Sequence, residues 1–166
     1  MSILPILRWP DPRLQVICDP VREINSEIET LAQDLLETMY DAPGRGLAAP
    51  QVGVLKRIFV MDATWKDGKP DPQVFINPVI EEVSDARVSS AEGCLSIPGI
   101  LSEISRPARV QLSWMSLTGG EFRQVFDGFA ATCIQHETDH LNGRVVVDRL
   151  SAAARAKAEA DYEALT

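Results

Sequence analysis

The sequence predicts an α+β fold with antiparallel sheets. Two observations carry this expectation. Segments of strand character cluster between helical segments instead of alternating with them, which separates α+β folds from doubly wound ones. Gly119-Gly120 also falls between two strand-like runs, the pattern of a tight antiparallel hairpin.

The elements follow in chain order. Asn25 to Ala42 reads as the first helix, because Ile28, Leu31, Leu35 and Met39 recur at helical spacing with polar residues between them. Ser26 and Glu29 have the spacing of a capping box, and Pro43-Gly44 ends the segment. The next stretch, GRGLAAPQVG (44–53), is rich in glycine and is expected to be an irregular loop. Its small residues let the backbone approach something closely. KRIFVMD (56–62) and QVFINPVI (73–80) read as strands, joined by a polar segment holding Asp67-Gly68. Arg109 to Leu117 alternates, with Val110, Leu112 and Trp114 on one face, and EFRQVF (121–126) is its hairpin partner. Asp127 is placed to cap a second helix that runs to about Asn142, with Gly143 beyond its end. SAAARAKAEADYEAL (151–165), rich in alanine and alternating charge, reads as a terminal surface helix.

Length and composition bound the function. A chain of 166 residues with 45% apolar content is expected to form a single domain, 1–166, with a substantial core. Acidic residues outnumber basic ones 24 to 16, for a formal charge of −8, so bulk attraction to nucleic acid is not expected. The opening MSILPILRWPDPRLQ lacks the form of a signal peptide, and no run reaches membrane-spanning length. The cytoplasm is the expected compartment. Cys18, Cys94 and Cys133 do not make a disulfide framework there.

The second helix contains HETDH (136–140), and these are the only two histidines in the chain. Positions i and i+4 lie one turn apart on one helix face, so His136 and His140 can reach one metal ion together. Glu137 lies about 100° around the helix, where a carboxylate can take a proton from a water on that ion. The neighbouring Phe129, Cys133, Ile134 and Leu141 imply burial. A hydrogen-bonded polar cluster in the core is the alternative reading of the same residues. A catalytic metal generally takes three protein ligands. Downstream, Asp148, Glu159, Asp161 and Glu163 have unconvincing contexts. Upstream, Cys94 stands out in the Gly/Pro-bounded stretch AEGCLSIPG (91–99), since a thiolate is a strong ligand for iron or zinc.

Three segments in order, GRGLAAPQ (44–51), EGCLS (92–96) and QHETDH (135–140), resemble the motifs of the peptide deformylase family. ILRWPDPRL near the N-terminus resembles that family's usual opening, so the likeness covers nearly the whole chain. It implies antiparallel sheets packed around the HExxH helix. It implies that Cys94, His136 and His140 bind one divalent metal, usually Fe²⁺, with Zn²⁺, Ni²⁺ or Co²⁺ in some members or preparations. Glu137 would be the acid–base catalyst, while the Gln51 side-chain amide and the Leu95 N–H would stabilise the oxyanion. Gly46 would contact the bound peptide through its backbone. Cys133 would help wall the methionine pocket, or simply fill the core. The implied reaction removes formyl from the N-terminal N-formylmethionine of new proteins in a bacterial cytoplasm, by a monomer, with the ribosome as a further partner. Glu92 is placed to pair with Arg106, and Asp139 either supports the metal helix or carries surface charge. Arg45 and Leu101 depart from the family pattern, which has apolar residues and often arginine at those places, and both bear on substrate preference.

Overall fold

The computed structural model describes residues 2–166. Its main elements are α1 (Ser26–Asp41), β1 (Gly46–Ala48), β2 (Ile58–Met61), β3 (Gln73–Val83), β4 (Arg87–Cys94), β5 (Ile97–Pro107), β6 (Arg109–Met115), β7 (Glu121–Asp127), α2 (Gly128–Leu141) and α3 (Ala152–Leu165). Five strands form an antiparallel sheet in the order β1-β2-β3-β6-β7. The remaining two, β4 and β5, form a separate antiparallel hairpin. This is the α+β arrangement that clustered strands predict.

The sheet lies between two helices because β2 is apolar on both faces. Ile58 and Val60 pack with Leu35, Met39 and Leu47 on the α1 side. Phe59 and Met61 point the other way, into a cluster with Phe75, Leu112, Phe126 and Ile134. Phe59 and Phe75 stack with ring centroids 4.7 Å apart, and each such buried side chain contributes about 1.5–3 kcal/mol. Helix α1 buries Ile28, Leu31, Leu35 and Met39, the stripe expected from the spacing. Its cap is Asn25 and not Ser26: the Asn25 side-chain oxygen accepts the Ile28 N–H at 3.1 Å. Asn25 has the extended backbone of a cap (φ −109°), whereas Ser26 already lies inside the helix.

Helix α2 is enclosed almost completely, with every residue from Ala131 to Leu141 buried. The expected cap at Asp127 is in position, but its side chain makes no hydrogen bond to the helix. At the far end, the Arg57 guanidinium donates to the Leu141 carbonyl at 2.9 Å. Gly143 follows with φ +74°, and a Cβ there would lie 2.7 Å from the Gln15 carbonyl oxygen. Both conformation and space therefore require glycine at this end.

Three segments differ from the sequence expectation. Residues 44–53 are more ordered than an irregular loop: β1 pairs with β2, and a 3-10 turn, Ala49–Val52, follows. The long hairpin β4–β5 carries no clean apolar alternation. The inward positions of β5 are Ile97, Ile100, Ser102, Ile104 and Arg106, so polar residues interrupt the period-2 signal. Helix α3 is mostly exposed, yet Ala158 and Tyr162 are buried with Ile97, Ile100 and Ile104 of β5. Tyr162 also meets Trp9 edge-on at 5.7 Å.

Candidate metal and catalytic site

The inner face of α2 meets the turn of the β4–β5 hairpin at the bottom of a cleft of about 990 Å³. Cys94 ends β4, where the pairing register shifts after Gly93. That irregularity turns its thiol toward α2, and Cys94 Sγ lies 3.4 Å from His140 Nε2. The His136 and His140 rings are 5.1 Å apart, one turn along the helix. Donor atoms of Cys94, His136 and His140 all lie within 4.8 Å of one another, and all three residues are buried. A tetrahedral ion with bonds of about 2.0–2.3 Å holds its ligands roughly 3.5 Å apart, so this set fits a divalent cation. Glu137 Oε1 and His140 Nδ1 are buried without a hydrogen-bond partner, which is costly unless something else engages the site.

The histidines are oriented from behind. His136 Nδ1 lies 3.0 Å from Glu92 Oε1. Donation of that N–H to the carboxylate leaves Nε2 as the free lone pair. Glu92 is held by Arg106, through Nε at 2.7 Å and Nη2 at 2.9 Å. Arg106 also donates to Asp139 at 3.0 Å, and Asp139 accepts from Arg149 at 2.5 and 2.6 Å. Asp139 is thus a buried support of α2 and not a surface charge. Arg149 is a residue that the sequence did not point to, since an arginine after an apolar run has no distinctive signal.

The environment tunes each group. Burial pushes the Glu137 carboxyl up to about 7, a shift that the His136 charge opposes and Glu92 reinforces. Burial, with the positive fields of His136 and Arg106, holds His140 well below its ordinary value. It is therefore neutral, the form that ligates. Burial also acts to lower His136, but Glu137, Cys94 and Glu92 around it raise it well above the ordinary range. Ligation by His136 would have to overcome that preference, which a cation at the donors would do by repelling the extra proton. Burial, then the Glu137 carboxylate, raises the Cys133 thiol well above its ordinary value, so it stays a neutral wall residue.

Other residues singled out by the sequence fall around the same cleft. Gln51 is buried, its Oε1 accepting the Ala48 N–H at 3.0 Å and its Nε2 donating to Ser96 Oγ at 3.0 Å and facing Cys94 Sγ at 3.7 Å. Ser96, fully buried, was not foreseen; a serine after CL carries no signal by itself. Leu95 sits at the hairpin turn and lines the cleft. Gly46 faces the carboxylate so closely that a Cβ there would lie 2.7 Å from Glu137 Oε2 and 2.7 Å from Cys133 Sγ. Arg45 and Leu101 both line the cleft, and Leu101 is 74% exposed. Cys18 is buried away from the cleft lining.

Donors of this kind beside a raised carboxylate define a class, the metal-assisted hydrolases. Comparison with known proteins gives the family. Residues 3–156 match the family model described as polypeptide deformylase. The peptide deformylase of Pseudomonas aeruginosa is 47% identical over 155 residues, covering 93% of this chain and 91% of the relative. That of Acinetobacter baumannii is 46% identical over 163 residues, covering 98% and 92%. The peptide deformylase structure from Legionella pneumophila superposes with a TM-score of 0.93 at 38% identity, covering 99% of this chain and 95% of that one. The Ehrlichia chaffeensis peptide deformylase in complex with actinonin gives a TM-score of 0.93 at 39% identity, covering 99% and 98%. The chain belongs to the polypeptide deformylase family, and it is a hydrolase that removes the formyl group from an N-terminal N-formylmethionine. Among the described residues, no helix is long and apolar enough to cross a membrane.

Proposed function

We propose that residues 1–166 act as one catalytic domain in which Cys94, His136 and His140 hold a single divalent ion and Glu137 moves the proton. The observation that supports this most is the convergence of the three donors within 4.8 Å beside Glu137. When bound, the ion supplies Lewis-acid polarisation of the formyl oxygen and a lowered pKa for the attacking water. Glu137, raised to about 7, takes a proton from that water as the new C–O bond forms. It then delivers the proton to the departing nitrogen as the C–N bond breaks. The products balance as formate and a free amino terminus. Gln51 and Leu95 line the cleft from separate segments, and the Gln51 Nε2 amide and the Leu95 N–H are the proposed donors to the developing oxyanion. The backbone at Gly46 lies alongside the bound methionine, and Cys133 walls its side chain.

Fe²⁺ is the proposed ion. A thiolate with two imidazoles suits iron or zinc, and the family resemblance favours iron. The proposed substrates are nascent chains met at the ribosome in a bacterial cytoplasm, acted on by a monomer; the bacterial relatives support that setting. The test is formate release from a formyl-Met peptide by protein purified without oxygen and assayed for metal content. Stoichiometric metal with steady formate release is expected. Full metal occupancy with no formate would contradict the proposal.

A further inference from the structure

The cleft carries charge that hydrolysis does not use. Arg8, Arg45 and Lys66 line it, and none of them forms an ion pair among the described residues. The lining carboxylates are Asp41, Glu92 and Glu137. Glu92 and Glu137 are buried, with Glu92 bound to Arg106, so Asp41 is the one exposed acid. A chain of formal charge −8 therefore presents a net cationic rim at its cleft.

Arg45 is the most constrained of the three cations. Its guanidinium carbon lies 4.8 Å from the centre of the Phe129 ring. Its carbonyl accepts the Asp62 N–H at 2.9 Å, which anchors the backbone. Its Nε is buried with no hydrogen-bond partner. Stacking on a ring leaves the in-plane N–H edge of a guanidinium free for a carboxylate.

Its position along α2 bears on which part of a substrate it meets. Phe129 and His136 lie seven residues apart on α2, about 10 Å along the axis at 1.5 Å per residue. An extended chain advances about 3.3 Å per residue. A peptide that runs from the donors along α2 toward Phe129 would bring its second or third residue to Arg45.

We propose that Arg45 makes the enzyme selective for anionic substrates by receiving an Asp or Glu side chain at the second or third residue of the formylated peptide. Arg8 and Lys66 add attraction without a fixed contact. This rests on the deformylase reading above.

The test compares C-terminally amidated formyl-Met-Ala-Glu, formyl-Met-Ala-Gln and formyl-Met-Ala-Lys, and the same series varied at the second residue. The expected order of kcat/KM is Glu over Gln over Lys at one of the two positions, by about three- to fivefold per step, as for a partly exposed ion pair. In the wild type, the Glu-to-Gln ratio should shrink toward one between 20 mM and 500 mM salt. Arg45→Met should abolish the ratio, and Arg45→Glu should reverse it in favour of Lys. No Glu preference at either position, or a preference that survives Arg45→Met, would overturn the proposal. A preference that salt leaves intact would do so too, and that arm needs no variant to fold. Failure to cleave any of the peptides with full metal would instead count against the deformylase reading itself.

Discussion

Gln51 is held by its own hydrogen bonds in the orientation that its proposed role requires. Its Oε1 is fixed by the Ala48 N–H, and this aims Nε2 toward Ser96 and Cys94 at the cleft floor. A rigid donor aimed at developing charge is worth more than a mobile one, because no reorganisation is needed in the transition state. Gln51→Ala is predicted to lower kcat by about 10²–10³ with metal content unchanged, as read by formate release and metal analysis. An effect confined to KM would show that the amide binds the ground state instead. Gly46 makes a related point about space. Any side chain there collides with Glu137 and Cys133, so the glycine preserves the approach of backbone to the Glu137 carboxylate.

At the level of elements, the site is a joint between α2 and the β4–β5 hairpin. Arg106 of β5 is 2% exposed and joins Glu92 of β4 to Asp139 of α2. Removing it would take the bidentate cation from buried Glu92, leaving His136 as its partner, and would leave Asp139 to Arg149 alone. Arg106→Leu is predicted to cost about 3–5 kcal/mol in urea unfolding. Arg106→Lys should recover little, because an ammonium cannot span the bidentate pair. A loss below 1 kcal/mol for Arg106→Leu would mean that the network is not what holds the joint. These elements also show what the sequence reveals. Helix α1 was legible because Ile28, Leu31, Leu35 and Met39 all face one core. Helix α2 was legible through its histidines and Gly143. The hairpin was not, because Ser102 and Arg106 occupy inward positions that apolar residues fill in an ordinary strand. Its inward arginine joins Glu92 to Asp139 across the joint with α2, so this buried ion pair erased the local pattern. The cap of α1 was misplaced by one residue for a local reason: Asn25 and Ser26 are both good caps, and only the backbone angles decide between them.

At the level of the whole molecule, the sheet carries α1 on one face and α2 on the other, with β2 buried between them. The site residues come from β1, the turn after it, the hairpin and α2, so no single segment contains the chemistry. Cys94 stood out as a candidate ligand from its Gly/Pro-bounded stretch and its thiolate chemistry, and the family resemblance then singled it out, because nothing local in AEGCLSIPG says that it will meet a helix some forty residues later. Stability should also depend on pH at the α1–sheet junction. Tyr40 donates to Asp62 Oδ2 at 2.6 Å, and burial, then this bond, raise the Tyr40 phenol above its ordinary value of 10.0. The folded state thus keeps a proton that the unfolded chain releases. The contribution is complete below about pH 10 and is lost as pH rises beyond it toward the folded-state value. Tyr40→Phe should be less stable than wild type at pH 8, with the gap narrowing as pH rises above 10 in urea titrations. A gap that widens with pH would contradict the assignment.

Ligation and proton transfer are assigned here to different side chains of one helix turn. Metal content and formate release, measured together on Glu137→Gln and His140→Ala, test this assignment most directly. Glu137→Gln is expected to keep its metal and lose turnover by about 10²-fold or more, whereas His140→Ala should lose both. Glu137→Gln retaining wild-type turnover, or His140→Ala retaining full metal, would contradict it.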